Sequence, residues 1–181
     1  PLVVKRDSRG TLWIGTSKEL VLIHEKKGIN RRLQAGEGTW KSNYVGAIHE
    51  APNGDMYFGT ANGLAKLAVA EYEDLQFTFY PFRDKNFEGE GVAGHTISDI
   101  FLEDDTHLLL ATDNGISRFN METESFVSTR DPDPTLGENG NRIGVIIKDG
   151  KGNIWMGDRG TGLRCLPAGS PFDGEQFIYI R

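Results

Sequence analysis

The sequence contains a single cysteine, Cys165, among its 181 residues. One cysteine cannot form an internal disulfide, and it excludes a metal site built from several cysteine ligands. Long apolar runs are also missing, because no stretch approaches the roughly 18 residues that cross a bilayer. The sequence therefore predicts neither a disulfide framework nor a membrane segment in this chain.

An excess of positive charge is the third missing feature. Lys and Arg number 20 against 26 Asp and Glu, which gives a formal net charge of −6. Nucleic acids and anionic membranes are bound by clustered Lys and Arg, so we expect neither as a partner. Glycine, in contrast, is abundant, with 23 residues that separate many short apolar runs. Frequent tight turns between short apolar segments predict an all-β protein.

Four similar stretches of ten residues recur along the chain, and they cover residues 7–16, 51–60, 103–112 and 149–158. Each has a small residue at the ninth position, and these residues are Gly15, Gly59, Ala111 and Gly157. Successive small residues are separated by 44, 52 and 46 positions. Propeller blades in other repeat families have a period of about 40–50 residues, whereas one coil of a β-solenoid takes about half as many. The period favours blades over a solenoid.

Each repeat unit predicts four short antiparallel strands joined by tight turns. An apolar inner strand leads through a glycine turn into a second strand, which carries Trp13, Tyr57, Leu109 or Trp155. A second turn, Asn-Gly in two of the units, leads into the third and fourth strands. We predict a β-propeller of about four blades, at residues 1–38, 39–90, 91–138 and 139–181, without a long helix. The recurring aromatic residues are predicted to pack between blades.

The recurring block Asp-x-x-Gly-x-Leu-Trp-Ile-Gly-Thr, followed by Asn-Gly-Leu or Asn-Gly-Ile, resembles the two-component regulator propeller repeat. The first unit matches over 7–16 and the fourth over 149–164. The second unit departs from the pattern at Ala51 and Tyr57. The third is degenerate at Glu103, Thr106, Leu109 and Ala111. The resemblance extends over essentially the whole chain.

This resemblance implies a function as well as a fold. In that family the repeats form the extracytoplasmic sensor region of hybrid two-component receptors, which carry a histidine kinase beyond a membrane helix. It implies a periplasmic propeller, commonly of seven blades, whose ligand is often an oligosaccharide. Because the chain starts with Pro1 and holds four units, we expect a piece of a longer protein and an incomplete ring. Open edges of such a ring are expected to cause self-association.

One face of the predicted propeller carries the long connectors between blades, at 35–43, 83–95 and 131–142, together with the turns between second and third strands. Long loops on a rigid scaffold are where binding residues concentrate. Aromatic rings suit sugar stacking, and Arg suits uronate or sulfate groups. The candidates for binding an oligosaccharide or other small polar ligand are Trp40, Tyr44, Arg83, Asn86, Phe87, His95, Asn139, Arg142 and Arg159. Further candidates from the second turns are Asn62, Asp113, Asn114 and Asp158. The alternative is that Trp40 and Phe87 pack between blades and that the Asn and Asp residues only form turns.

Two other sequence features, a glycine motif and the histidines, do not indicate a binding site. Gly89, Gly91 and Gly94 spell a dinucleotide fingerprint, but a strand is predicted after them where that motif needs a helix. The four histidines lack metal-ligand spacing, so we predict no metal and no cofactor. From the residues alone, three functions stay open: a non-catalytic ligand sensor, a propeller enzyme of lyase or glycoside hydrolase type, and a protein-interaction scaffold. The family resemblance favours the sensor.

Overall fold

The computed structural model describes residues 1–82, 91–129, 141–160, 162–172 and 176–180. In this part of the chain, sixteen strands form four separate four-stranded antiparallel sheets. The strands of each sheet are consecutive in sequence and neighbours in space, so each sheet is a β-meander. The prediction of an all-β protein with four four-stranded blades is confirmed. The exact blade boundaries, which were predicted within the connectors after residues 38, 90 and 138, stay a prediction.

The first two blades contain eight strands. Blade 1 consists of β1 (Val3–Arg6), β2 (Leu12–Gly15), β3 (Leu20–His24) and β4 (Ile29–Leu33). Blade 2 consists of β5 (Val45–Glu50), β6 (Met56–Thr60), β7 (Gly63–Leu67) and β8 (Phe77–Tyr80). Each of these blades has a short 3₁₀ helix between its third and fourth strands, at Glu25–Lys27 and Val69–Glu71.

The other two blades contain the remaining strands. Blade 3 consists of β9 (Ile97–Leu102), β10 (His107–Thr112), β11 (Gly115–Asn120) and β12 (Ser125–Thr129). Blade 4 consists of β13 (Ile143–Lys148), β14 (Ile154–Asp158), β15 (Gly162–Leu166) and β16 (Ile178–Ile180). No helix in the described ranges is long and apolar enough to cross a membrane.

The repeated motif folds as a turn that is closed by its first residue. In blade 1, Asp7 Oδ1 accepts the backbone N–H groups of Arg9 at 3.0 Å and Thr11 at 2.8 Å. The other oxygen of Asp7 accepts the indole N–H of Trp13 at 2.7 Å. Gly10 completes the turn with a φ of 90°, a conformation that favours glycine. The Asp and the Trp of the motif are therefore one hydrogen-bonded unit.

Blade 4 repeats this arrangement, and blades 2 and 3 lack both of its partners. Asp149 accepts the indole N–H of Trp155 at 2.9 Å. In blade 2 the two positions are Ala51 and Tyr57, and in blade 3 they are Glu103 and Leu109. In this chain the Asp and the Trp are therefore both present in blades 1 and 4 and both replaced in blades 2 and 3.

The hydrophobic core lies between the blades, as three clusters of buried side chains. The cluster between blades 1 and 2 is rich in aromatic rings, with Trp13 and Trp40 both against Phe58. Tyr57 and Phe119 contact each other in the cluster between blades 2 and 3. Aliphatic side chains, among them Ile146, dominate the cluster between blades 3 and 4. The predicted packing role of Trp13 and Tyr57 is confirmed, because both are fully buried in these clusters.

The inner strands β1, β5, β9 and β13 contact one another in sequence order. Three of them contain a β-bulge just after the strand begins, at Gly46 in β5, Ser98 in β9 and Gly144 in β13. A bulge adds one unpaired residue, which bends the strand and redirects the neighbouring side chains. A Cβ atom on Gly46 would lie 2.9 Å from the carbonyl oxygen of Ile97, so glycine is needed there. The bulges shape the connector face where the inner strands begin.

Candidate functional site

A pocket of about 230 Å³ opens on the connector face. It lies where β9 and β13 begin, and the residue before β5 reaches it as well. Connectors, second turns and the first residues of inner strands supply all of its lining. The lining residues are Tyr44, Thr96, Ser98, Asp113, Arg142, Ile143 and Arg159. The structure thus brings together three residues predicted in the main candidate set, Tyr44, Arg142 and Arg159, and one turn candidate, Asp113.

Tyr44 is held at the pocket by the start of blade 2. Its backbone N–H donates to Ser42 Oγ at 3.3 Å, and the Ser42 hydroxyl donates back to the Tyr44 carbonyl at 3.1 Å. Its ring and hydroxyl lie close to Gly46, where a Cβ atom would approach both within 2.9 Å. The bulge glycine therefore makes room for a half-buried phenol that reaches the pocket.

Asp113 is fixed by the connector that precedes its own blade. Its Oδ1 accepts the backbone N–H of Thr96 at 3.2 Å, and its backbone N–H donates to the Thr96 carbonyl at 3.1 Å. A Cβ atom on Gly94 would lie 2.2 Å from Asp113 Oδ1, so the carboxylate occupies space that only a glycine leaves free. Gly94, which completes the misleading dinucleotide motif, has a structural role in placing this carboxylate.

Arg142 and Arg159 supply the positive side of the pocket. The backbone N–H of Arg159 donates to the Arg142 carbonyl at 2.7 Å, which ties the β14–β15 turn to the start of β13. Gly144 allows the Arg159 side chain to approach, because a Cβ atom there would lie 3.1 Å from its Nε. Both arginines are exposed, and neither guanidinium has a hydrogen bond or ion pair within the described ranges. Among the described residues, nothing occupies the hydrogen-bond donors of these two guanidinium groups, so a ligand could bind them.

The pocket combines two guanidinium groups, a phenol, two hydroxyls and one carboxylate. Guanidinium groups bind carboxylates and sulfates through paired, charge-assisted hydrogen bonds. The volume is below the ~300–1,000 Å³ of sites that enclose a drug-sized ligand. The pocket is therefore suited to one polar unit of a larger ligand. Among its described lining residues, Asp113 is the one carboxylate.

Trp40 and His95 do not line the pocket. Trp40 is only 1% exposed, and its ring lies 4.9 Å from Phe77 and 5.4 Å from Phe79 between centroids. It fills the space between blades, as the packing alternative predicts, and we do not retain it in the site. His95 is exposed and lies 3.8 Å from the Phe82 ring between centroids. Four further candidates lie outside the described residues, namely Arg83, Asn86, Phe87 and Asn139.

The other turn candidates connect the turns to the rest of the propeller. The Asn62 side chain donates to the Lys41 carbonyl at 2.9 Å. The Asn114 side chain donates to the Ala93 carbonyl at 3.1 Å. Asp158 accepts a hydrogen bond from Arg164 at 2.8 Å in a buried ion pair. The two asparagines hold the second turns against the connectors, and Asp158 pairs within blade 4, so these contacts account for all three side chains without a ligand.

Thr96 and Ser98 line the pocket although neither was predicted to. Both stand within one residue of Ile97, where β9 begins, and this place at the start of an inner strand is the feature that could have identified them. The next residue, Asp99, is partly buried between blades, and its carboxylate accepts the backbone N–H groups of Ile100 at 2.9 Å and Ile146 at 2.8 Å. Burial raises the pKa of Asp99, and the two backbone donors oppose that rise. Within the described ranges, no group of His, Cys, Asp and Glu side chains converges as a metal site would require.

Comparison with known proteins finds solved structures of similar fold but no matching family. No protein-family model matches the sequence, and no curated protein sequence matches it. The fold resembles the extracellular domain of a proposed one-component system, BT4673, from B. thetaiotaomicron, with a TM-score of 0.71 and 19% identity. That match covers 98% of this chain and 24% of the other.

Two further solved structures resemble the chain. PorZ, a surface component of the type-IX secretion system of Porphyromonas gingivalis, has a TM-score of 0.62 at 15% identity over 91% of this chain and 25% of its own. U3-55K has a TM-score of 0.61 at 12% identity over 93% of this chain and 48% of its own. The chain thus spans about a quarter of the first two structures. Likeness at such low identity supports the fold alone, so the resemblance to the two-component regulator repeat stays a prediction.

Proposed function

We propose that this chain is the ligand-sensing propeller portion of the periplasmic region of a hybrid two-component sensor, and that it recognises an oligosaccharide without catalysis. The observation that carries the proposal is the pocket on the connector face, where Tyr44, Arg142 and Arg159 meet. Three separately predicted binding residues, distant in sequence, line one polar cavity.

Two further observations support a sensor. The repeat pattern of blades 1 and 4 resembles the propeller repeat of two-component regulators. The extracellular domain of BT4673, itself described as part of a one-component system, shares the fold over nearly the whole chain. An extracytoplasmic location and a role in signal transduction follow from the same resemblance and belong to the proposal.

The chemistry of the pocket favours an acidic sugar. Arg142 and Arg159 supply two guanidinium groups that have no hydrogen bond or ion pair within the described residues, and Asp113, Thr96 and Ser98 supply acceptors and hydroxyls for sugar hydroxyl groups. A uronate or a sulfated sugar satisfies both sets of groups. With one carboxylate among the described lining residues, the pocket favours binding over glycoside hydrolysis, which uses a pair of carboxylates.

A glycan array that includes uronate-containing and sulfated oligosaccharides tests this proposal, followed by calorimetric titration of the strongest binder. We expect Arg142→Ala and Arg159→Ala each to weaken binding about 10- to 100-fold, since a hydrogen bond to a charged group contributes about 1.5–3 kcal/mol. Arg31→Ala is the matched control, because Arg31 is an exposed arginine on β4 in blade 1.

This experiment tests the binding site and its ligand class separately from the absence of catalysis. Binding of acidic glycans that the control retains and both pocket variants lose supports the site and its ligand class. Affinity that does not change in either pocket variant would exclude the pocket as the binding site. Release of shortened sugars during the titration would contradict the non-catalytic role.

A further inference from the structure

Two exposed aromatic rings stack on each other beside the pocket. The ring centroids of Phe82 and His95 are 3.8 Å apart, and the ring planes are 31° from parallel. Phe82 is 37% exposed, and His95 is exposed as well. His95 directly precedes Thr96, which lines the pocket, and the Cα atoms of neighbouring residues are about 3.8 Å apart. The aromatic pair, Phe82 and His95, therefore begins within one residue of the pocket wall.

The backbone of Phe82 is held in place on the connector face. Phe82 forms a parallel β-bridge with Val92, a fully buried residue whose backbone N–H donates to the Pro81 carbonyl at 3.2 Å. It also lies against the β6–β7 turn, where a Cβ atom on Gly63 would approach the Phe82 backbone nitrogen within 3.1 Å. A ring that is fixed by its backbone and by the stacked His95 has little freedom left to lose, so a ligand that binds on it pays little entropy.

The repeat shows that this pair departs from the pattern of the other connectors. The strand registers align His95 with Asn43 before blade 2 and with Asn141 before blade 4. They also align Phe82 with Ala35, whose backbone N–H donates to Asn43 Oδ1 at 2.7 Å. A single hydrogen bond thus joins the same two positions in the first connector. Closing a connector does not explain why two exposed rings occupy them in the second.

An exposed aromatic ring suits the apolar face of a sugar. A β-linked glucose ring has its C–H groups on its two faces and its hydroxyl groups around its edge. Such C–H groups are attracted to the negative face of an aromatic ring, as the positive edge of a second aromatic ring is. The pocket binds charge through Arg142 and Arg159, and the aromatic pair beside it binds an apolar face. The two surfaces are complementary parts of one site for a ligand of several sugar units.

We propose that the aromatic pair is a second subsite, where a neutral sugar ring stacks on Phe82 while an acidic unit of the same oligosaccharide binds at Arg142 and Arg159. This inference rests on the proposed function, because it uses the acidic oligosaccharide assigned there. Phe82 contacts the sugar, and His95 is a positioning residue that keeps the Phe82 ring in its orientation. The ligand is then at least a disaccharide, with one acidic unit and one neutral unit.

Calorimetric titration with two probes of different length tests the proposal. The probes are glucuronic acid and a trisaccharide in which glucuronic acid is β-linked to two glucose units. We expect the native chain to bind the trisaccharide at least about threefold more tightly than glucuronic acid. Phe82→Leu should weaken binding of the trisaccharide about three- to tenfold, because it removes the aromatic face, and should leave the affinity for glucuronic acid unchanged.

Two further variants separate stacking from a general effect on the fold. His95→Asn introduces the residue of the other two connectors, and we expect it to weaken trisaccharide binding less than Phe82→Leu does, because the Phe82 ring remains but is less firmly held. Phe172→Leu is the matched control, since Phe172 lies between β15 and β16 on the opposite face and contacts Phe177. It should leave the affinity for both probes unchanged.

The two probes distinguish failure of the subsite from failure of the proposed function. If no acidic glycan on the array binds the native chain, the proposed function fails and this inference fails with it. If acidic glycans bind through Arg142 and Arg159 but the trisaccharide binds no more tightly than glucuronic acid, only the second subsite is excluded. The same conclusion follows if Phe82→Leu changes the affinity for both probes equally or for neither.

Discussion

Asp7 joins three side chains of blades 1 and 2 in one buried network. It accepts hydrogen bonds from the Trp13 indole and from the Tyr72 hydroxyl, and that hydroxyl also contacts the Thr11 hydroxyl at 2.7 Å. The sequence predicted the Trp as a packing residue, and the ring does pack against Phe58. The hydrogen bond to Asp7 was not predicted, because a repeat shows that two residues recur without showing that they touch.

The first prediction concerns this network. We expect Asp7→Ala to lower the free energy of unfolding by about 1–3 kcal/mol, because it leaves the buried Trp13 N–H without an acceptor. Trp13→Phe removes that donor while keeping an aromatic ring. In a double-mutant cycle followed by urea unfolding, the double variant should lose less stability than the sum of the two single variants. Strict additivity would show that the two side chains do not act together.

The second prediction concerns Asp104, in the first turn of blade 3. Partial burial opposes ionisation of its carboxyl, but hydrogen bonds from the Thr106 backbone N–H, the His107 ring and the Thr106 hydroxyl outweigh burial and lower the pKa of Asp104 to about 2. Because the folded pKa lies below the unfolded value of about 3.9, the group stabilises the fold above pH ~4. This contribution is lost as the pH falls from about 4 to about 2.

Urea unfolding of the native chain and of Asp104→Asn between pH 2 and pH 6 measures this contribution. The stability difference between the two should be constant above pH ~5 and should shrink toward pH 2. A difference that grows as the pH falls would contradict the lowered pKa of Asp104. The side chain is about half exposed, so we expect a small effect.

At the scale of strands and turns, the sequence predicted the number of strands and most of the tight turns. It did not predict the bulges at Gly46, Ser98 and Gly144. A bulge shifts the alternation of side chains by one residue, and nothing in the local pattern of apolar residues marks where the shift occurs. Ser98 was not predicted for this reason, since it is the bulged residue near the start of β9.

The third prediction concerns the link between a connector and a turn. We expect Gly94→Ala to displace Asp113 and to weaken ligand binding at the pocket, because the added Cβ would lie 2.2 Å from Asp113 Oδ1. Overpacking of this kind costs about 1–3 kcal/mol of folding free energy. Thermal unfolding, together with titration of the glycan identified on the array, measures both effects.

Gly150→Ala is the matched control for that substitution. An added Cβ at Gly150 has no neighbour within 4 Å, and the residue does not have a positive φ. We expect its stability to change by no more than about 0.5 kcal/mol, as for most surface substitutions. If Gly94→Ala behaves like this control, the close approach of the Asp113 carboxylate does not matter for the site.

At the scale of the whole molecule, the three inter-blade clusters divide the blades into two classes. Blades 2 and 3 are covered on both faces, whereas blades 1 and 4 each leave one face open. The sequence showed four units of one period, which was enough to predict this stacking. It predicted which residues form the long connectors, but it did not show which of their side chains meet at the pocket, because that depends on contacts between segments that are far apart in the chain.

The fourth prediction follows from this difference in covering. In the native chain at low concentration, we expect native-state hydrogen exchange to be slower in β5–β12 than in β1–β4 and β13–β16. Stability in stacked repeats depends on contacts with neighbours, and the outer blades have one neighbour each. Uniform protection across all four blades would show instead that the sheets unfold as one cooperative unit.

The pocket draws its side chains from three different sheets. Tyr44 belongs to the start of blade 2, Asp113 to blade 3, and Arg142 and Arg159 to blade 4. A ligand held by all of them senses the angle between neighbouring blades, so any rotation of one blade against the next changes its affinity. By thermodynamic reciprocity, an occupied pocket resists that rotation with the same free energy. On the proposed function, an occupied pocket would thereby stiffen the propeller, and this stiffening would need no rearrangement of the strands.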